Sequence, residues 1–197
     1  MQLVLATNNE GKVRELKELL GDIEVLSLAD FPELPEVVED GSTFEENAAK
    51  KARLIAEQTN LVALADDSGL EVDYLGGQPG IYSARFAGEE KDDEKNNNKL
   101  LKLLLDVPES GRTARFRCVI AIATPGGKVY TTEGSCEGII GFAPTGQDGF
   151  GYDPLFYVPE YNKTFAELDL DQKNIISHRG KALNKARDIM KEILTVG

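Results

Sequence analysis

Leu61 to Gly69 reads LVALADDSG: five apolar residues run straight into Asp66, Asp67, Ser68 and Gly69. A continuous apolar run bounded by turn residues suits a strand buried on both faces of a sheet, and in open α/β sheets ligands gather beyond the carboxyl ends of such strands. Successive strand residues point to opposite faces, so one carboxylate faces a ligand while the other braces the turn. Adjacent acids at a strand end suit a hard cation held by oxygen ligands. The same four polar residues also make an ordinary turn that ends a strand, and by themselves they do not decide between the two.

Upstream, Leu3 to Ala6 is a short apolar strand followed by TNNEGK, Thr7 to Lys12, after which Val13, Leu16, Leu19 and Leu20 fall at helical spacing. Strand, polar loop, helix is a unit that binds phosphate at the helix N-terminus, through backbone N–H groups, the Thr7 hydroxyl, the Asn9 amide and the Lys12 ammonium. The alternative is a helix simply capped by Asn8 or Asn9. The GxxxxGK[ST] spacing of a P-loop is absent. Ile23 to Leu28 reads as a strand, and Pro32 and Pro35 then break the chain into a loop ending in VVEDG, Val37 to Gly41. Thr43 and Glu46 have capping-box spacing at the start of TFEENAAKKA, whose Phe44, Ala48, Ala52 and Ile55 define an apolar helix face. That helix returns the chain to Leu61. Glu39 is therefore expected near Asp67, sharing a cation with it, unless it is merely a solvated loop acid.

Downstream, Leu70, Val72 and Tyr74 alternate as a separate half-buried strand, and Leu75 to Gly88 carries too much Gly, Pro and Ala for a regular element. Arg85 in that loop meets an anion, a partner subunit or the loop's own carbonyls. Glu89 to Leu105 reads as a helix whose Asn96, Asn97 and Asn98 are exposed surface. Thr113 to Ala123 alternates cleanly, Pro125-Gly126-Gly127 turns it back along Lys128 to Thr132, and a third strand is expected at Ser135 to Ile140. The sheet is thus mixed. TGQDGFGYDP, Thr145 to Pro154, combines glycines that allow close backbone approach with the flat faces of Phe150 and Tyr152 and the acceptor Asp153, which suits a nucleobase or a packed aromatic turn. Lys173 to Lys191 holds six cations against one acid, a local net charge of +5, and contains the only histidine, His178, beside Arg179.

The chain has 197 residues, 41% hydrophobic and 28% charged, enough for one domain or two close lobes with a sizeable core. A net charge of −12 argues against tracking along nucleic acid. Cys118 and Cys136 lack metal-ligand spacing and read as reduced core thiols. No apolar run approaches the roughly 20 residues of a membrane span, and no charged-then-apolar leader opens the chain. A cytoplasmic protein is expected.

Five blocks taken together resemble the inosine/xanthosine triphosphate pyrophosphatases, which act on non-canonical purine nucleotides. TNNEGK is similar to that family's phosphate loop, TFEENAAKKA to its acidic helix and ADDSGLEVDYLGGQPGIYSARFAG to its central signature, while GFGYDP and SHRGKAL resemble its base-recognition segments. The likeness runs from Thr7 to Leu183 in the same order, with Asn8 where a glycine is common. The fold it implies is α/β: a long mixed β-sheet flanked by helices, residues 1–197 forming one domain of two lobes around a nucleotide-binding cleft, usually as a homodimer. The activity it implies is Mg²⁺-dependent hydrolysis of ITP, dITP and XTP to monophosphate and pyrophosphate. The resemblance also makes Asp67 the proton acceptor and a metal residue, with Glu39 as a second metal candidate. It places Thr7, Asn8, Asn9, Glu10, Gly11 and Lys12 of the phosphate loop, and Ser68, Phe150, Gly151, Tyr152, Asp153, Lys173, His178 and Arg179, against the substrate. His178 or Arg179 would donate to the oxygen at purine C6. Another nucleotidyl or phosphoryl transferase, or a nucleotide sensor without turnover, uses many of the same parts; release of pyrophosphate with water as the only acceptor separates them.

Overall fold

The computed structural model describes residues 2–21, 23–35 and 37–195, so the two ends of the expected 1–197 domain lie outside the described residues. Seven strands form one sheet in the order β2-β1-β3-β4-β5-β6-β7: β1 Gln2–Leu5, β2 Glu24–Ser27, β3 Val62–Val72, β4 Thr113–Ala123, β5 Val129–Ile140, β6 Phe156–Val158 and β7 Lys163–Thr164. β1 pairs in parallel with β2 and with β3, whereas β6 pairs antiparallel with β5 and β7, so the sheet is mixed as its patterning implies. Among the described residues five α-helices accompany it: α1 Glu10–Leu20, α2 Phe44–Thr59, α3 Asp93–Leu103, α4 Leu170–Ile176 and α5 His178–Thr195.

By contacts the chain divides into two compact units. One takes the chain as far as Asp67, then Cys118–Gly134, and resumes at Arg179; the other takes Ser68–Arg117 and Ser135–His178. Each has its own core. In the first, Leu3, Leu5 and Leu64 of the sheet pack with Leu16 of α1 and with Leu183 and Met190 of α5. In the second, Leu70, Phe116, Phe156 and Phe165 pack with Leu100 of α3 and with Tyr152. Phe116 meets Phe156 at a centroid distance of 4.6 Å and Phe165 at 5.7 Å.

Several expectations from sequence are corrected here. β3 does not stop at Asp66-Asp67 but runs on to Val72, absorbing the strand expected at Leu70 to Tyr74. The acids are paired by charged side chains distant in sequence, so they need no turn to reach water. β5 likewise runs unbroken from Val129 to Ile140, joining the segments expected as separate strands at Lys128 to Thr132 and Ser135 to Ile140. α3 starts at Asp93 instead of Glu89: Asp92 accepts the Lys95 N–H at 2.9 Å as its cap, and Gly88 and Lys91 just before it have φ of 151° and 52°. The loop Leu75 to Gly88 is not wholly irregular either, since 3-10 turns occupy Asp73–Leu75 and Gly80–Arg85. Arg85 there lies over the Tyr82 ring at 5.2 Å.

Asn98 is exposed as expected, but Asn96 and Asn97 are buried. Their polarity is used internally. Asn96 accepts the Ala87 N–H at 2.7 Å and donates to the Ala84 carbonyl at 3.0 Å, tying the preceding loop to α3.

Candidate active site

The acidic pair of β3 lies just past the end of β1. Pairing of the two strands ends at Leu5 and Leu64, and the Ala6 N–H then reaches the Leu64 carbonyl at 2.8 Å. Where the neighbouring strand stops, Asp66 meets the loop that enters α1. Strand alternation sends Asp66 and Asp67 in opposite directions, and their surroundings differ accordingly.

Asp66 is wholly buried. One oxygen pairs with the Lys12 ammonium; the other accepts from Arg179 Nε at 3.0 Å and from the Cys118 thiol at 2.9 Å. Arg179 in turn pairs through Nη1 with Glu15, itself buried on α1. Burial opposes charge on Asp66, but Arg179 and then Lys12 outweigh it and hold its carboxyl well below the usual carboxylate range. Asp66 is thus a brace held in its ionised form.

Asp67 has the opposite character. One oxygen accepts from Lys51 Nζ at 3.2 Å, and the other is buried with no hydrogen-bond partner among the described residues. Burial pushes its carboxyl up, and Glu39 and Asp66 add to the rise, against the opposing pull of Lys51 and Lys12. Two adjacent carboxylates with pKa values driven apart suit two roles, one structural and one acid–base.

Helix α2 builds the rest of this group. Thr43 caps it by accepting the Glu46 N–H at 3.1 Å, while the Glu46 carboxylate holds Ser42 through its N–H and hydroxyl, both at 2.7 Å. One turn on, Asn47 accepts the Gly41 N–H at 2.8 Å, and a side chain on Gly41 would fall 2.7 Å from that same Asn47 oxygen. Lys50 holds Asp40 at 2.5 Å. Lys51 holds Glu39 at 2.5 Å and the Asp66 carbonyl at 2.9 Å, besides Asp67. Glu39 and Asp67 are thus brought together by one side chain, the ammonium of Lys51. Sequence reading missed Lys51, although it falls between Ala48 and Ala52 on the apolar helix face. It also missed Glu15, one turn from Lys12 and beside Leu16.

The phosphate-loop residues are placed as follows. Asn9 caps α1, its side-chain oxygen accepting the Lys12 N–H at 3.0 Å, and Thr7 Oγ1 accepts the Asn9 N–H at 3.2 Å. Glu10, Gly11 and Lys12 belong to the first turn of α1, and Asn8 and Asn9 are exposed. The cap and the phosphate loop are the same residues, and the cap occupies the Asn9 oxygen.

In the second unit, the base-recognition candidates gather around aromatic rings. His178 is buried and stacks on Phe116 at 4.7 Å, with Phe165 at 6.4 Å. Lys173 Nζ donates to Asp153 at 2.6 Å and lies over Phe150 at 5.2 Å and Phe165 at 5.5 Å. The Asp153 carboxylate also accepts the Phe150 N–H at 2.9 Å. A side chain on Gly149 would lie 2.1 Å from that carboxylate, so only glycine fits there. Tyr152 is part of the core and donates its hydroxyl to the Ser83 carbonyl at 2.8 Å, while Ser68 is half-buried in β3. Phe116, in sequence one of the alternating residues of β4, and Phe165, which no motif singles out, complete this aromatic group.

Among the described residues no three His, Cys, Asp or Glu side chains cluster as a metal site. Asp67 and Glu39 still fit a hard cation of the Mg²⁺ kind, which takes one or two carboxylates and completes its shell with water and substrate phosphate. The partnerless Asp67 oxygen is the donor such an ion needs.

A model described as the Ham1 family matches residues 3–189. The chain belongs to the Ham1 family. Its relatives include the dITP/XTP pyrophosphatase of Desulforamulus reducens, 64% identical over 98% of this chain and 97% of that protein. The dITP/XTP pyrophosphatase of Geobacter sulfurreducens is 57% identical over 95% of each. Among solved structures, the Ham1 protein of Staphylococcus aureus superposes with a TM-score of 0.86 at 43% identity, covering 98% of this chain and 99% of that one. The Coxiella burnetii HAM1 protein gives 0.87 at 43% identity, with the same coverage. The family membership and the α/β fold with a mixed sheet agree with the resemblance drawn from the motifs.

Proposed function

We propose that this Ham1-family chain hydrolyses dITP, XTP and ITP to the monophosphate and pyrophosphate, so clearing them from the nucleotide pool before they enter DNA or RNA. The observation that carries the proposal is Asp67: a buried carboxylate with one partnerless oxygen and a raised pKa, beside a second carboxylate and two lysines. That its Desulforamulus reducens and Geobacter sulfurreducens relatives are dITP/XTP pyrophosphatases supports the same reading. No helix among the described residues is long and apolar enough to cross a membrane. Two buried cysteines, neither in a disulfide, suit a reducing, cytoplasmic setting, and the likeness of motifs supports a homodimer with the whole chain acting as one domain.

The residues divide the work by their surroundings. Asp66 stays ionised and holds Lys12, which uses one of its three donors on Asp66 and turns a side chain that is 15% exposed toward the triphosphate. Thr7, Asn8, Asn9, Glu10 and Gly11 frame the start of α1, where orphan backbone N–H groups meet phosphate oxygens. Asp67 takes the proton of the attacking water, for which a raised pKa is an advantage. Mg²⁺, held by Asp67 and Glu39, would supply charge neutralisation on the phosphate oxygens. Ser68 is a further substrate contact.

For the base, Phe150 to Asp153, Lys173 and His178 supply ring faces and polar groups. Inosine and xanthine carry an acceptor oxygen at C6 where adenine carries an amino donor. Arg179 Nε and Nη1 are held by Asp66 and Glu15, so His178 takes the role of C6 donor and Arg179 sets the charge around Asp66. A site built to hydrogen-bond one group rejects an analogue lacking it by roughly 10⁴ to 10⁵. The test is kcat/KM for dITP, XTP, dATP and dGTP with Mg²⁺. A strong preference for the first two supports the reading, and equal values for dITP and dATP refute it.

A further inference from the structure

We infer that Asp93 and Asn97 of α3 are positioning residues for the base loop: together they clamp both backbone polar groups of Gly151. This rests on the reading of Phe150 to Asp153 as the base-binding segment. Asp93 Oδ2 accepts the Gly151 N–H at 2.7 Å, and Asn97 Nδ2 donates to the Gly151 carbonyl at 2.9 Å. The two side chains are four residues apart, so one face of one helix presents an acceptor and a donor one turn apart. Gly151 has φ of +61°, a left-handed conformation that glycine adopts without steric cost.

The rest of the loop is anchored at other points. Gly146 has φ of +89° and lies so close to Ala166 that an added side chain would fall 2.4 Å from its backbone. The Gln147 and Asp148 N–H groups both reach the Ala166 carbonyl, at 3.2 and 3.1 Å. Asp153 holds the Phe150 N–H. Without α3, however, the polar groups of Gly151 have no other partner among these bonds. Asp93, Asn97, Phe150 and Gly151 also line a common open pocket of about 380 Å³, so the clamp sits at a surface a ligand can approach.

Asn97 is an unusual choice if its task were packing. It is 91% buried, and its Oδ1 has no hydrogen-bond partner among the described residues. An apolar residue would avoid leaving that acceptor unsatisfied, so the side chain is retained for the bond its nitrogen makes. Asp93 needs an acceptor oxygen, not a charge. The carboxamide of Asn at 93 supplies one, whereas Ala does not.

The experiment compares Asp93→Ala, Asp93→Asn, Asn97→Ala and, as a control on the base-loop reading, Phe150→Ala. Amide hydrogen exchange is followed over residues 147–152 with steady-state kinetics on dITP. Loss of one clamp bond is expected to speed exchange at Gly151 and its neighbours and to raise KM for dITP about three- to tenfold with kcat nearly unchanged, Asp93→Asn being close to wild type. A merely structural role for α3 would lower folded protein and kcat without this split. Unchanged exchange in both alanine variants overturns the clamp. Faster exchange with an unchanged KM overturns the positioning role. If Phe150→Ala also leaves KM unchanged, the failure lies in the base-loop reading; if Phe150→Ala raises KM, it lies in the clamp.

Discussion

Replacing Asp66 or Asp67 by asparagine changes two atoms of the same type one residue apart, yet the two substitutions are expected to do opposite things. Asp66→Asn removes the charge that Arg179 and Lys12 face and turns an amide donor toward Arg179, Lys12 or the Cys118 thiol. Breaking a buried charge network by removing one partner costs about 3–5 kcal/mol, out of a total stability of roughly 5–15 kcal/mol. At about 2–4 °C per kcal/mol for a chain of this size, the melting temperature should fall by roughly 6–20 °C. The sign with pH follows from the lowered pKa of Asp66. Its contribution is complete above the ordinary carboxylate range and is lost only as pH falls through its depressed value, so the deficit is full at neutral pH. Asp67→Asn removes a carboxylate whose ionised form burial already disfavours, and Lys51 keeps Glu39 and the Asp66 carbonyl. Its melting temperature should stay within a few degrees of wild type, while turnover drops by about 10²–10⁴ with loss of the base. The assays are thermal denaturation at pH 7 and pyrophosphate release at saturating dITP. Equal melting temperatures for Asp66→Asn and wild type, or equal turnover for Asp67→Asn and wild type, would refute the division of roles.

Lys51→Met removes the foremost influence that lowers the Asp67 pKa, so the carboxyl rises further and the acidic limb of kcat/KM should move to higher pH; an unmoved limb in the pH profile would detach Lys51 from the base. Gly149→Ala places a methyl on the Asp153 carboxylate at a φ of +80°, and should lower kcat/KM for dITP by at least tenfold, as steady-state kinetics would show, while leaving the unit around Asp66 intact.

Much of this fold is legible in the sequence because its signals are local. The alternation of β4 marks Thr113–Ala123 with both ends correct, and Thr43 and Asn9 mark helix starts that their side chains cap. What sequence conceals is charge inside the protein. Asp66-Asp67 reads as the end of a strand because two acids in a row belong in water. They remain in a strand only because Arg179, 113 residues away, and Lys51 neutralise them. Lys51 and Glu15 look like surface residues for the same reason, although each interrupts an apolar face. Asn96 and Asn97 are misread as exposed because their partners are backbone groups of loops, which no periodicity announces. Of the site, the acidic pair, the phosphate loop and the glycine-aromatic segment are visible as motifs. The commitment of Arg179 to two carboxylates is visible only in three dimensions.

The most direct test is the identity of the products formed from dITP and Mg²⁺ by the wild-type chain and by Asp67→Asn, read by ³¹P NMR. Wild type should give dIMP and pyrophosphate with no inorganic phosphate, and Asp67→Asn should give neither at a comparable rate. Formation of dIDP and inorganic phosphate, or pyrophosphate release that survives the loss of Asp67, would contradict a pyrophosphatase built around that carboxylate.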